Sequence, residues 1–229
     1  MNPIIAIEGI SFAGKTTLTK LLEEQGLERL YELAEKFDYG AGFPSFPKTT
    51  DEARESDLWF IQQEVTREQN ALIKSSRSVV VADRSFISGL AFGYARQEVF
   101  GLGDAIYQNE LVRQALSQGL LHIPWLVYLK MDINTYFKRK ENETNIRIKE
   151  YGEAAVRNVS ISKEEKKFFE KQIEFYTRLF KNVPHLELDA LEIPYLLATQ
   201  VRTWVKGKET QFNPVNLEDF LVKPMGVER

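Results

Sequence analysis

The chain has 229 residues, is 43% hydrophobic and carries a formal charge of −3; that is length enough for one well-packed domain, and the acidic balance argues against broad nucleic-acid binding. It has no cysteine, which excludes disulfides and thiolate chemistry and suits a reducing cytoplasm. No apolar run approaches the roughly twenty residues of a membrane span, and the N-terminus lacks the charged, then apolar, pattern of a secretion signal.

Strand and helix signals alternate along the chain. Ile4–Ile7 reads as a strand, and Thr16–Gln25 as a helix stopped by Gly26. Leu27–Ala34 has helical spacing at Leu30, Leu33 and Ala34 but lies between two helices, and it is read as a strand. A Gly/Pro/Phe-rich loop spans Gly40 to Thr50, and a helix runs over Asp57–Lys74. Val79–Ala82 is a buried strand, Asp104–Gln118 a helix closed by Gly119, and Trp125–Met131 a strand. Helices over Ile133–Lys140 and Lys163–Lys181, a short strand at Leu186–Leu188 and a helix over Pro194–Lys206 complete the series. Such alternation predicts a three-layer α/β fold, a parallel sheet with helices on both faces. Residues 1–205 then form one domain, and 206–229 a tail. In sheets of this kind the site lies at the carboxyl ends of the strands, which selects the loop after the first strand, Glu35, Asp83-Arg84, Asp132 and Asp189. His122 and His185 stand alone beside or within strands and are expected to be structural.

The loop after the first strand is Gly9-Ile10-Ser11-Phe12-Ala13-Gly14-Lys15-Thr16-Thr17. This G-x-x-x-x-G-K-T spacing, between a strand and a helix, is a P-loop. Gly9 and Gly14 permit a tight turn, and the loop N–H groups converge where the helix dipole favours an anion. Lys15 can bridge the β- and γ-phosphates, and the Thr16 hydroxyl can reach Mg²⁺. The expected ligands are ATP and Mg²⁺.

Val79 to Ala82 ends in Asp83-Arg84-Ser85. An acid at a strand tip can hold Mg²⁺ or its waters, and the neighbouring arginine can offer two donors to a phosphate. No N-K-x-D sequence, no L-S-G-G-Q and no D-E strand tip is present, which disfavours GTPases, transport ATPases and motor ATPases. Lys138, Arg139, Lys140, Arg147 and Lys149 cluster between a strand and a long helix, and suggest a basic lid over residues 138–162, with Arg139 and Arg147 on the transferring phosphoryl.

Together these residues resemble the thymidylate kinase and deoxynucleoside kinase group. Glu8-Gly9-Ile10 with Ala13-Gly14-Lys15-Thr16-Thr17 is similar to the thymidylate kinase P-loop. Asp83-Arg84 through Ser88, Leu90, Ala91 and Phe92 resembles that family's segment at the same place, and Lys166 to Tyr176 with His185 to Ala190 its closing helix and last strand. The resemblance implies a five-stranded P-loop NTPase fold, Mg·ATP, and phosphoryl transfer to a pyrimidine deoxynucleoside or its monophosphate, the deoxynucleoside monophosphate being the main expectation. Ser11 replaces an acid that thymidylate kinases carry, and Ala34-Glu35-Lys36 their R-E-P.

The deoxynucleoside kinases place a general base after strand 2, a role Glu35 would fill for a 5′-hydroxyl. On the following helix Gln62, Gln63 or Arg67 could read the base, with Trp59, Phe60, Phe43 and Phe46 stacking on it or filling the core. Three readings stay open: a monophosphate kinase, a nucleoside kinase, and a nucleotide-binding regulatory ATPase. A nucleoside or nucleotide acceptor and a possible homodimer are the expected partners, with neither nucleic acid nor membrane.

Overall fold

Five parallel strands form one sheet: β1 (Ile4–Glu8), β2 (Glu28–Leu30), β3 (Val80–Asp83), β4 (Trp125–Lys130) and β5 (His185–Asp189), in the spatial order β2-β3-β1-β4-β5. The computed structural model describes residues 1–37, 42, 44–151 and 162–208, without the side chains of 36, 147–151 and 208. Around the sheet lie α1 (Lys15–Glu24), α2 (Leu33–Lys36), α3 (Thr50–Ser75), α4 (Phe86–Phe100), α5 (Ala105–Ser117), α6 (Ile133–Tyr151), α7 (Lys163–Asn182) and α8 (Pro194–Lys208).

The sheet is buried on both faces, as parallel sheets require. Ile5, Ile7, Val81, Val127 and Leu129 are fully enclosed, and Leu18 and Leu22 of α1 close one side; each such side chain contributes about 1.5–3 kcal/mol of transfer free energy. Register aligns Ile7 of β1 with Asp83 of β3 and Val127 of β4. The P-loop therefore leaves the middle of the sheet, flanked by the tips of β3 and β4. α7 is amphipathic, burying Phe168, Gln172, Phe175, Tyr176, Leu179 and Phe180 along one stripe.

Several elements differ from the sequence-based expectation. The strand expected over Leu27–Ala34 is present over Glu28–Leu30 only, and Leu33–Lys36 is a helical turn, so the strand reading holds for the first half of the stretch and the helical spacing for Leu33 and Ala34. The helix expected from Asp57 begins at Thr50, with the Thr49 hydroxyl accepting from Glu52 N, a cap that local side-chain chemistry favours. α4 carries no helical period because α3, α5 and α7 pack around it. Residues 138–151 of the expected lid are helical, belonging to α6; its residues 152–161, Phe43 and tail residues 209–229 lie outside the described residues. Among the described residues no helix is long and apolar enough to cross a membrane. His122 Nδ1 lies 2.9 Å from Glu68 of α3, and His185 Nδ1 2.8 Å from the nearby Val183 carbonyl.

Candidate active site

The P-loop wraps tightly onto β4. Gly9 has φ +143°, and a Cβ there would lie 2.7 Å from the Leu129 carbonyl oxygen, so only glycine brings the backbone this close. Gly14 (φ +96°) caps α1 in the left-handed region, and Phe12 (φ +61°) takes the same conformation without glycine's freedom. Phe12 is held from outside, because Arg139 NH1 donates to its carbonyl at 2.9 Å while NH2 donates to Ala190 O at 2.5 Å. Arg139 thus ties the P-loop to the segment after β5.

Lys15 is buried and donates to Ile10 O at 2.7 Å. Burial, then the nearby Arg84 charge, pulls its ammonium down to about 7. The Thr16 hydroxyl donates to Asp83 Oδ2 at 2.6 Å, whereas Asp83 Oδ1 is buried with no partner. An unpaired carboxylate oxygen beside a hydroxyl, in a loop that turns its amides inward, fits a hard cation completed by phosphate oxygens and water. No cluster of three or more His, Cys, Asp or Glu suited to a metal occurs among the described residues.

Across the β3 tip lies a cavity of about 360 Å³. α3 lines it with Ser56, Asp57, Phe60, Ile61, Glu64 and Arg67, a helical stripe; α4 and its entry add Arg84, Phe86, Ser88, Phe92 and Arg96; α7 adds Phe168, Phe169 and Gln172. Arg84 has φ +68°, a strained conformation costing about 1–3 kcal/mol. It turns the guanidinium over the P-loop, where Nε donates to Glu32 Oε1 at 2.6 Å and NH1 to Gly9 O at 3.1 Å. Burial raises the Glu32 carboxyl, but the charges of Arg84 and Lys15 outweigh it and leave its pKa below the ordinary value. Burial likewise opposes the Arg84 charge, and Glu32 overcomes it.

Every guanidinium lining this cavity is paired with a carboxylate. Beside Arg84–Glu32 stand Arg67–Glu64 at 2.7 Å and Arg96–Asp57 at 2.7 Å. Arg67 NH2 also donates to the carbonyls of Asp83 and Arg84, at 3.2 and 3.1 Å, fixing α3 to the β3 tip. Gln108 Nε2 joins Asp57 Oδ1 to the Gly89 carbonyl. At the far side of Arg84, the fully buried Glu8 accepts from Ser85 and Ser88 at 2.6 Å and from Tyr176 at 3.2 Å. Burial, against those hydrogen bonds, raises its pKa.

The structure brings together Lys15, Thr16, Asp83, Arg84, Arg139 and Arg67. It separates Glu35, which stands on α2 rather than at a strand end, donates nothing to the cavity lining and pairs with Arg29 at 2.8 Å. Arg29 in turn sits 3.7 Å from Asp83, so Glu35 balances a buried cation. Gln62 is exposed, Gln63 half-buried, and neither lines the cavity; they occupy the other faces of α3. Arg147 lies on α6, its side chain outside the described residues, and Lys140 pairs with Glu165. Glu32, Gln108 and Gln172 escaped the sequence reading. Glu32 had a signal: β2 pairs Leu30 with Ala82, so the residue two beyond Leu30 faces Arg84, two beyond Ala82. Phe60 and Phe46 line the cavity rather than fill the core, while Trp59 packs on Phe37 at 5.1 Å.

No family model and no curated protein matches the sequence. Among solved structures, deoxyadenosine kinase from M. mycoides with the product dCMP and a flexible dCDP is similar at TM-score 0.62 and 16% identity, covering 89% of this chain and 99% of that one. The same enzyme with bound dATP gives 0.61 and 17%, over 89% and 99%. Thymidylate kinase from Candida albicans gives 0.58 and 14%, over 94% of this chain and 97% of that one. At such identity the likeness shows the fold: a five-stranded parallel sheet flanked by helices, as the resemblance implied.

Proposed function

We propose that the chain is a Mg·ATP-dependent phosphotransferase that phosphorylates the 5′-hydroxyl of a deoxynucleoside, with Glu32 as general base. The carrying observation is the Glu32–Arg84 pair, which stands at the β2 tip, lines the cavity and lies beside the P-loop. Neighbours named as deoxyadenosine and thymidylate kinases support an acceptor of the nucleoside or nucleotide class.

Charge pairing favours the nucleoside over the monophosphate. A neutral acceptor enters without disturbing any of the three guanidinium–carboxylate pairs. For a phosphate dianion the same pairing leaves no uncompensated guanidinium on the cavity wall to attract it. Aromatic rings at Phe60, Phe86, Phe92 and Phe168 offer the apolar enclosure a base requires.

The loop amides, Lys15 and Arg139 would hold ATP, with Thr16 and Asp83 holding Mg²⁺. When bound, that ion would neutralise negative charge on the phosphate groups. Lys15 Nζ leaves the Ile10 carbonyl for a phosphate oxygen, and the anion restores its full charge. Glu32, kept ionised by Arg84, accepts the proton of the 5′-hydroxyl as that oxygen bonds to the γ-phosphorus. The bond from the γ-phosphorus to the departing ADP oxygen breaks in the same step. Arg84 holds Glu32 in place, and Arg147 keeps the role on the transferring phosphoryl that the sequence suggests.

Incubation of the protein and Mg·ATP with the four deoxynucleosides and their 5′-monophosphates tests this reading. Phosphorylated nucleoside is the expected product. Products from monophosphates alone would return the protein to the thymidylate kinase type, and ATP hydrolysis indifferent to any acceptor would make it a regulatory module.

A further inference from the structure

Gln172 is a polar residue on the buried stripe of α7. It is 6% exposed, it lines the acceptor cavity, and among the described residues its amide has no hydrogen-bond partner. The buried polar atoms left without a partner among those residues are Arg67 Nε and Asp83 Oδ1, not the Gln172 amide, which therefore keeps access to the cavity; both its donor and its acceptor are left for whatever fills that space.

Its level in the cavity is fixed by its neighbours. α7 passes antiparallel to α4: the Tyr176 hydroxyl lies 3.0 Å from Ser88 Oγ, while the Phe168 ring lies 4.9 Å from that of Phe92. Ser88 also accepts from Arg84 at 3.3 Å, which marks the phosphoryl-transfer end. Phe92 and Phe168, with Phe46 at 6.1 and 6.5 Å from them, form the aromatic end suited to a base. Gln172 stands midway, four residues or about 6 Å along the helix from each level. Between the reacting 5′-oxygen and the base of a nucleoside lies its sugar.

We infer that Gln172 binds the sugar's secondary hydroxyl and is a specificity-determining residue for the acceptor. A hydroxyl both donates and accepts, so the amide can satisfy it in either orientation. The inference rests on the nucleoside reading above.

The test compares calorimetric binding of deoxynucleosides and their 2′,3′-dideoxy forms, which differ only in the 3′-hydroxyl, to the wild type and to Gln172→Met. Methionine keeps the length of the side chain and removes its hydrogen-bonding groups. In the wild type the deoxynucleoside should bind about tenfold more tightly, and in the variant that ratio should fall to near one. ATP binding and thermal stability should be unchanged, since no internal hydrogen bond is lost. Gln172→Asn, with its amide drawn back by one methylene, replaces the Met variant if that fails to fold, and should also lose the ratio. A wild-type ratio near one, a ratio that survives in the variant, or no binding of either ligand overturns the inference. Because binding needs no turnover, a protein that binds nucleosides but does not phosphorylate them sinks the kinase reading and still decides the role of Gln172.

Discussion

The two halves of the site are built from different material. The triphosphate end is main chain: Gly9 against the Leu129 carbonyl, Gly14 capping α1, and Phe12 pinned through its own carbonyl. The acceptor end is side chain, gathered from α3, α4, α5, α7 and the turn after β2. Main-chain geometry tolerates no added atom, whereas a side-chain wall can be re-cut residue by residue. On the proposed reading the first half would fix what is transferred, and the second would select what receives it.

The sharpest division falls between two carboxylates three residues apart. Glu32→Gln should lower kcat by roughly 10²–10⁴-fold, as loss of a general base does, while Glu35→Gln should act on stability through Arg29 and leave kcat within a few-fold. Steady-state kinetics and thermal denaturation of both variants check this, and equal effects would dissolve the distinction. At the main-chain end, Gly9→Ala should destabilise by about 1–3 kcal/mol and weaken ATP binding at least about tenfold, because its methyl would lie 2.7 Å from the Leu129 oxygen. A variant as stable and as tight as the wild type would refute the close-approach argument.

A pH profile comes next. Glu32 has a depressed pKa, so the required carboxylate is ionised above the ordinary carboxylate range and activity is lost only as pH falls through the depressed value. The acid limb of kcat/KM for the acceptor should therefore lie below pH 4.5. Removing the cation by Arg84→Met takes away the strongest influence holding the carboxyl down against burial and should move the limb up. A limb that stays put would exclude Arg84 as the cause. Smallest of all, Gln62→Ala and Gln63→Ala should change acceptor KM by less than about twofold, since neither lines the cavity.

Legibility in the sequence followed the same division. A P-loop is contiguous, and its spacing encodes its geometry, so Gly9 to Thr17 and the Asp83-Arg84 strand tip could be read directly. The acceptor wall joins residues as far apart as Glu32 and Gln172, 140 positions, and no local spacing records that proximity. Gln62 and Gln63 have the chemistry proposed for a base reader but the wrong helical phase. Gln108 and Gln172 have the same amide where α5 and α7 bring it to the cavity. Glu32 escapes the sequence reading because the expected strand runs four residues past the end of β2, to Ala34, which makes Glu35 the strand-end acid, and three residues are too few for an alternating pattern to declare itself.

The three matched ion pairs also bear on how ligands arrive. With Glu32, Glu64 and Asp57 cancelling Arg84, Arg67 and Arg96, the acceptor chamber projects little field beyond the Debye length of about 10 Å at 0.1 M salt. Acceptor capture is then governed by diffusion and short-range fit, and its rate should be nearly flat with ionic strength. A triphosphate drawn to Lys15 and Arg139 is steered, and its association should slow as salt is added. One protein would thus collect its two substrates under two different physical regimes.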